Sequence, residues 1–170
     1  MSDANANFGG VYTVECRDAD GNLKWEDSFP NRVVNVGLQD INSKYFTGVT
    51  YTASWYLGLV SGPGGSNTYA ATDTLASHAG WTEATGYSSA TRPSITFGSA
   101  TAANPSVISS SSAASFTMNA SATIAGAFLT NANTGTSGLL FSVGNFSAGD
   151  RSVVSGDTLL VTYTFFATAT

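Results

Sequence analysis

The chain has 170 residues, a net charge of −5 and 42% hydrophobic residues, but only 10% charged ones, where about a quarter is ordinary. That length suits one domain burying about 70% of the surface its unfolded chain exposes, with no need of a metal or disulfide staple. Its few basic residues form no stripe, which excludes direct nucleic-acid binding, and no apolar run approaches the roughly 20 residues of a membrane helix.

Residues 1–9 read as a flexible polar arm ahead of a single domain over 10–170. This start lacks the basic and apolar regions of a secretory signal, so synthesis in a reducing cytoplasm is expected. A hairpin follows. Val11 to Glu15 form one strand, Asp18 to Asn22 the turn, and Leu23, Trp25 and Asp27 alternate with Lys24, Glu26 and Ser28 in the return strand. Asp18, Asp20 and Asn22 resemble the opening of a calcium loop. The loop needs Gly at its sixth position and Glu at its twelfth, and Leu23 and Phe29 stand there. Cys16 is the one cysteine, so no internal disulfide can form, and a buried, inert thiol is expected.

Beyond Pro30, Asn35 is placed to cap the single helix, Val36 to Phe46. Leu38, Ile41 and Tyr45 share its apolar face, and Asp40 and Lys44 pair at i, i+4 on the wet side. Ser54 to Val60 is a mostly apolar run, read as a buried strand ended by Gly62 to Gly65. Residues 61–83 read as a long loop. Strands are expected at Thr85 to Ser88, Ser94 to Phe97, Ser115 to Asn119, Ala122 to Thr130, Leu139 to Val143 and Arg151 to Val154. Gly98 to Ala114 reads as a low-complexity Ser/Ala/Thr tract. The last strand follows Ser155-Gly-Asp157. Leu159, Val161, Tyr163 and Phe165 point one way, while Leu160, Thr162, Thr164 and Phe166 point the other. Such a strand is expected to be central or closing, because free ends fray unless pairing ties them down. Eight to ten strands with one short helix make an all-β chain, an antiparallel β-sandwich or jelly roll.

No catalytic, cofactor-binding or metal-ligating residue stands out, and the chain reads as a non-enzyme. His78, with Asp73 and Ser77 nearby, lacks a nucleophile elbow or oxyanion loop and reads as a packed residue anchoring its loop beside Trp81. Gly62 to Gly65 is not a phosphate loop, since no Gly-Lys-Ser/Thr follows. Trp55 is expected in the core, and Trp25 and Trp81 as interface or loop anchors.

Four stretches carry a resemblance: Val11 to Asp27 (VYTVECRDADGNLKWED), Asn31 to Gly48 (NRVVNVGLQDINSKYFTG), Thr74 to Ser88 (TLASHAGWTEATGYS) and Ala148 to Phe165 (AGDRSVVSGDTLLVTYTF). Together they resemble small virion structural proteins of tailed bacteriophages, of the head decoration, or cement, type. The resemblance implies a β-rich body made in the host cytoplasm and mounted on the outside of the capsid. Its implied partners are the major capsid protein and other copies of itself, as a homotrimer on local three-fold axes. No cofactor, nucleic-acid partner or membrane is expected from the composition and motifs above. A phage tail, collar or fibre-tip module contacting the host, and a carbohydrate-binding module, are the alternative readings.

Overall fold

The structure is a computed structural model that describes residues 6–169. Twelve strands and one α-helix follow in chain order. The first part holds β1 (Ala6–Arg17), β2 (Leu23–Pro30), β3 (Arg32–Val33), α1 (Asn35–Thr47) and β4 (Trp55–Ser61). Two short strands, β5 (Glu83–Ala84) and β6 (Ser94–Ile95), lead to β7 (Ser106–Ser109) and β8 (Ala114–Thr117). Then come β9 (Ala122–Thr130), β10 (Leu140–Asn145), β11 (Arg151–Val153) and β12 (Thr158–Ala169).

All strand pairs are antiparallel, and they make two sheets. The first runs β2-β1-β12-β7, with β8 following β7 along the same edge of β12. The second runs β3-β10-β9-β4-β5, with β11 on β9 and β6 on β4. The all-β sandwich is therefore as expected, and the last strand is central to its sheet. β12 pairs with β1 over its whole length, from Thr158↔Arg17 to Ala169↔Ala6.

Alternation along the first sheet sends Tyr12, Val14 and Cys16 of β1, and Leu159, Val161 and Tyr163 of β12, into the space between the sheets. The second sheet meets them with Leu57, Leu59, Ile124 and Leu129. Its own outer face is apolar too. Val60, Phe128, Leu140 and Val143 pack there with Val34, Leu75 and Trp81 from the surrounding connections. β4 and β9 are thus buried on both faces, which is why SWYLGLV and ATIAGAFLT read as runs rather than alternations. Gly58 suits this crowding: a Cβ there would enter the Phe128 ring.

Five expectations need correction. No strand forms over Thr85 to Ser88, where Tyr87 makes an isolated bridge to Met118 and the neighbouring strand is β5. Residues 6–9 are not an arm but the start of β1, held by β12; residues 1–5 of the expected arm lie outside the described residues. Asn35 does not cap α1. Val34, extended and buried, precedes the helix, and the Asn35 N–H donates to the Ala71 carbonyl at 2.8 Å, so a loop backbone does the work of a capping side chain. Tyr45 is not on a buried face; it is 80% exposed. The helix touches β10 through Gly37, where a Cβ would lie 2.6 Å from the Phe141 carbonyl oxygen, so its first turn docks closely and its last turn stands clear. Finally, the Ser/Ala/Thr tract contains a strand, β7.

Candidate functional site

The two sheets do not end together. β2 covers β1 only from Val11 to Arg17, and beyond the Gly10 carbonyl, which accepts the Asn31 N–H, Ala6 to Gly9 continue with β12 as their strand partner. The face that carries Tyr12, Val14 and Cys16 carries Phe8 here, and Phe8 is 45% exposed. Its ring stacks on Phe165 at a centroid distance of 6.2 Å, and Phe165 meets the edge of Phe141 at 5.6 Å. The first sheet thus overhangs the second, with its core-facing stripe running out past its cover.

Under the overhang the sandwich opens into an apolar crevice of about 200 Å³, lined by Ile41, Trp55, Phe97, Ile108, Phe141 and Phe165 among others. Trp55, expected in the core, stands half-buried at this crevice. Gly9 and Gly10 let the ribbon pack closely. The Phe166 ring lies where a Gly9 Cβ would come within 2.6 Å, and the Tyr163 hydroxyl occupies the space beside Gly10.

A second apolar surface lies at the end of α1. Tyr45 and Phe46 are 80% and 76% exposed, ring against ring at 5.0 Å, and Val49 and Tyr51 continue the patch. Lys44 reaches over the Tyr51 ring at 3.6 Å while its ammonium pairs with Asp40 at 2.8 Å, so the only charges of α1 neutralise each other. Burial, and then the Asp40 charge, raise the Tyr51 phenol above its ordinary value. A helix turns 100° per residue, so two consecutive aromatics point about 100° apart and one of them lies off the centre of any buried face. That was the signal in the sequence for this patch.

The residues weighed for chemistry have structural partners. His78 stacks on Trp81 at 3.8 Å, and its Nδ1 lies 3.0 Å from the Trp81 carbonyl oxygen. The buried Trp81 indole donates to the Asp73 carboxylate at 3.0 Å, which also accepts the Ala70 N–H. His78 and Trp81 are therefore loop anchors, closing the 67–81 connection over the second sheet. Trp25 packs edge-on against Phe146, with the Arg151 guanidinium over its face. Asp18 accepts N–H groups from Asp20 and Asn22 and the Asn22 side-chain amide, which closes the hairpin turn and holds the Asp18 carboxyl below its ordinary value.

The buried arginine is pinned internally. Arg92, 5% exposed, forks onto Glu83 at 2.7 and 2.8 Å and donates to the Ala132 and Gly135 carbonyls, tying two loops together. Between the sheets, the Tyr12 hydroxyl meets Ser142 Oγ at 2.7 Å, and Asn31 donates to the Tyr163 hydroxyl at 2.8 Å. Burial pushes the Tyr163 phenol up to about 12 and Tyr12 well above its ordinary value. Cys16 is buried as expected, and burial, with the Asp157 charge behind it, pushes its thiol up to about 11.

Among the described residues, no group of three or more His, Cys, Asp or Glu side chains is placed to hold a metal ion, and no helix is long and apolar enough to cross a membrane. No family model matches the chain, and neither a curated protein nor a solved structure matches it significantly.

Proposed function

We propose that this chain is a structural protein of a tailed-phage virion, a head decoration protein that binds the outside of the capsid and stabilises it. The resemblance of its four sequence stretches supports the reading, and one structural observation carries it: the exposed aromatic end of α1. Tyr45, Phe46, Val49 and Tyr51 form an apolar patch whose only nearby helix charges are already paired. Aromatic residues left in water on a stiffly packed body suit anchoring to another protein. The body suits exposure on a particle, because its second sheet is packed on both faces and its buried Arg92 is paired with Glu83. In this reading the α1 patch meets the major capsid protein, the mounted form is a homotrimer, and the role is structural rather than catalytic.

The test is binding of purified protein to expanded shells that lack it. Wild-type protein is expected to load to hundreds of copies per particle, counted by mass spectrometry. A Tyr45→Ser/Phe46→Ser variant should keep the same melting curve and lose most of that loading. A handful of copies per virion, located at the tail, would replace this reading with the tail or fibre-tip alternative.

A further inference from the structure

We propose that the cleft between the Thr85 to Thr91 loop and the Asn133 to Gly135 loop is a binding site for a neutral saccharide. The site shares no residue with the aromatic end of α1 and is independent of the capsid reading.

The cleft is preformed and polar. It holds about 380 Å³, inside the roughly 300–1,000 Å³ of small-molecule sites. Its walls are fixed from behind. The Arg92 N–H donates to the Asn133 carbonyl at 2.9 Å, and the Arg92 side chain donates to the Ala132 and Gly135 carbonyls, so one residue holds both loops. The Ser88 N–H donates to the Thr117 carbonyl at 2.8 Å, and the Asn119 side-chain amide to the Tyr87 carbonyl at 3.2 Å. A ligand entering here meets loops already held in place, with little ordering left to lose.

Chemistry selects the ligand class. Glu83 and Arg92 are the only charged residues that line the cleft, and they neutralise each other. Four of the five guanidinium N–H donors are taken by Glu83, Ala132 and Gly135. A phosphate or carboxylate ligand would therefore meet a carboxylate beside an arginine with one donor to spare. An acyl chain would find no apolar wall, because Tyr87 is 7% exposed and Ala90 is the only other apolar side chain there. What remains is neutral and works in both directions. The Thr85, Ser88 and Thr91 hydroxyls line the cleft and hold no hydrogen-bond partner among the described residues, and the Asn133 side chain joins them. A hydroxyl both donates and accepts. The Glu83 carboxylate accepts two N–H bonds from Arg92 and has lone pairs left for hydroxyl donors. The adjacent ring hydroxyls of a saccharide match that set, donor for acceptor. No tryptophan lines the cleft, so no stacking platform adds to these bonds, and a dissociation constant of about 1 mM is expected.

The experiment is a titration of isotope-labelled protein, followed by amide NMR shifts, with glucose, galactose, mannose, N-acetylglucosamine and, separately, inorganic phosphate. At least one of the sugars is expected to shift the amides of residues 85–92 and 133–135 with a midpoint of about 1 mM, while phosphate shifts none of them. Thr85→Val and Ser88→Ala alter exposed side chains, so each should keep the melting temperature within a few degrees and weaken sugar binding about fivefold. Thr134→Val, on the opposite wall, should do the same and guards against a misfolded first variant. Absence of shifts with every sugar overturns the proposal, as do shifts confined to other surfaces or phosphate binding tighter than any sugar. Folded variants that bind sugar as wild type does overturn it too.

Discussion

The two sheets solve the same packing problem in opposite ways. The first keeps one face wet: Thr13, Thr162 and Thr164 look outward while Val14, Val161 and Tyr163 look in. The second is enclosed between two apolar clusters, so β9 has no wet face from Ile124 to Thr130. The difference shows how a chain with little charge can still hold a defined register. In the first sheet a slip of one residue would expose the core stripe. In the second, register rests on shape, with Gly58 and Gly126 set where a neighbouring ring and the Gly144 backbone come too close for any side chain.

The harshest break is truncation after Thr158. It removes the strand that joins β1 to β7 and β8, with Leu159, Val161 and Tyr163 from the core. Burial of each large apolar side chain is worth roughly 1.5–3 kcal/mol, against about 5–15 kcal/mol for a whole domain. The product should be insoluble or unfolded by circular dichroism, and a cooperative thermal transition would show that β12 is dispensable. Next comes Phe128→Ala on the outer face of the second sheet, where the ring fills the space over Gly58 beneath Trp81 and Arg92. It should cost about 3–5 kcal/mol in urea denaturation. A cost below about 1 kcal/mol would mean that the outer cluster is not a true second core.

Alkaline pH sharpens the comparison at the inner face. Cys16, Tyr12 and Tyr163 all have folded values raised by burial, so they bind protons more tightly folded than unfolded. Their contribution is complete below the unfolded values, near 9 for the thiol and 10 for the phenols, and is lost as pH rises through about 11 and 12. Melting temperature should be flat from pH 7 to 8.5 and fall progressively above pH 9. A flat profile to pH 11 would contradict the buried placement of these groups. The smallest effect belongs to the wet face: Thr13→Ala, which loses one exposed hydroxyl contact to Ser28, should change stability by no more than about 0.5 kcal/mol.

Much of this contrast could be read in the chain. Period-two spacing in LLVTYTFF assigned each β12 side chain to its face, and the mostly apolar run in SWYLGLV marked a buried strand. Other features depended on partners that local pattern does not contain. β7 hides in a Ser/Ala/Thr tract because its ladder comes from the β12 edge, with only Val107 and Ile108 as its apolar content. The start of α1 is satisfied by the distant Ala71 carbonyl rather than by a capping side chain. The overhang was invisible for a related reason: alternation continues unchanged through Phe8, and nothing near Phe8 in the chain says where the opposing sheet stops.

The pairing of Ala6 with Ala169 has a practical consequence for anyone building on this scaffold. Entry and exit of the described chain are neighbours on a ladder, so a few glycines would join them and the chain could be reopened at another loop, the Asp18 to Asn22 turn for instance, as a circular permutant. By the same geometry, a cargo domain fused at either side of the pair emerges from one place beside the overhang. Bulky passengers would crowd that end of the molecule, whereas a peptide tag inserted at the hairpin turn would point the opposite way.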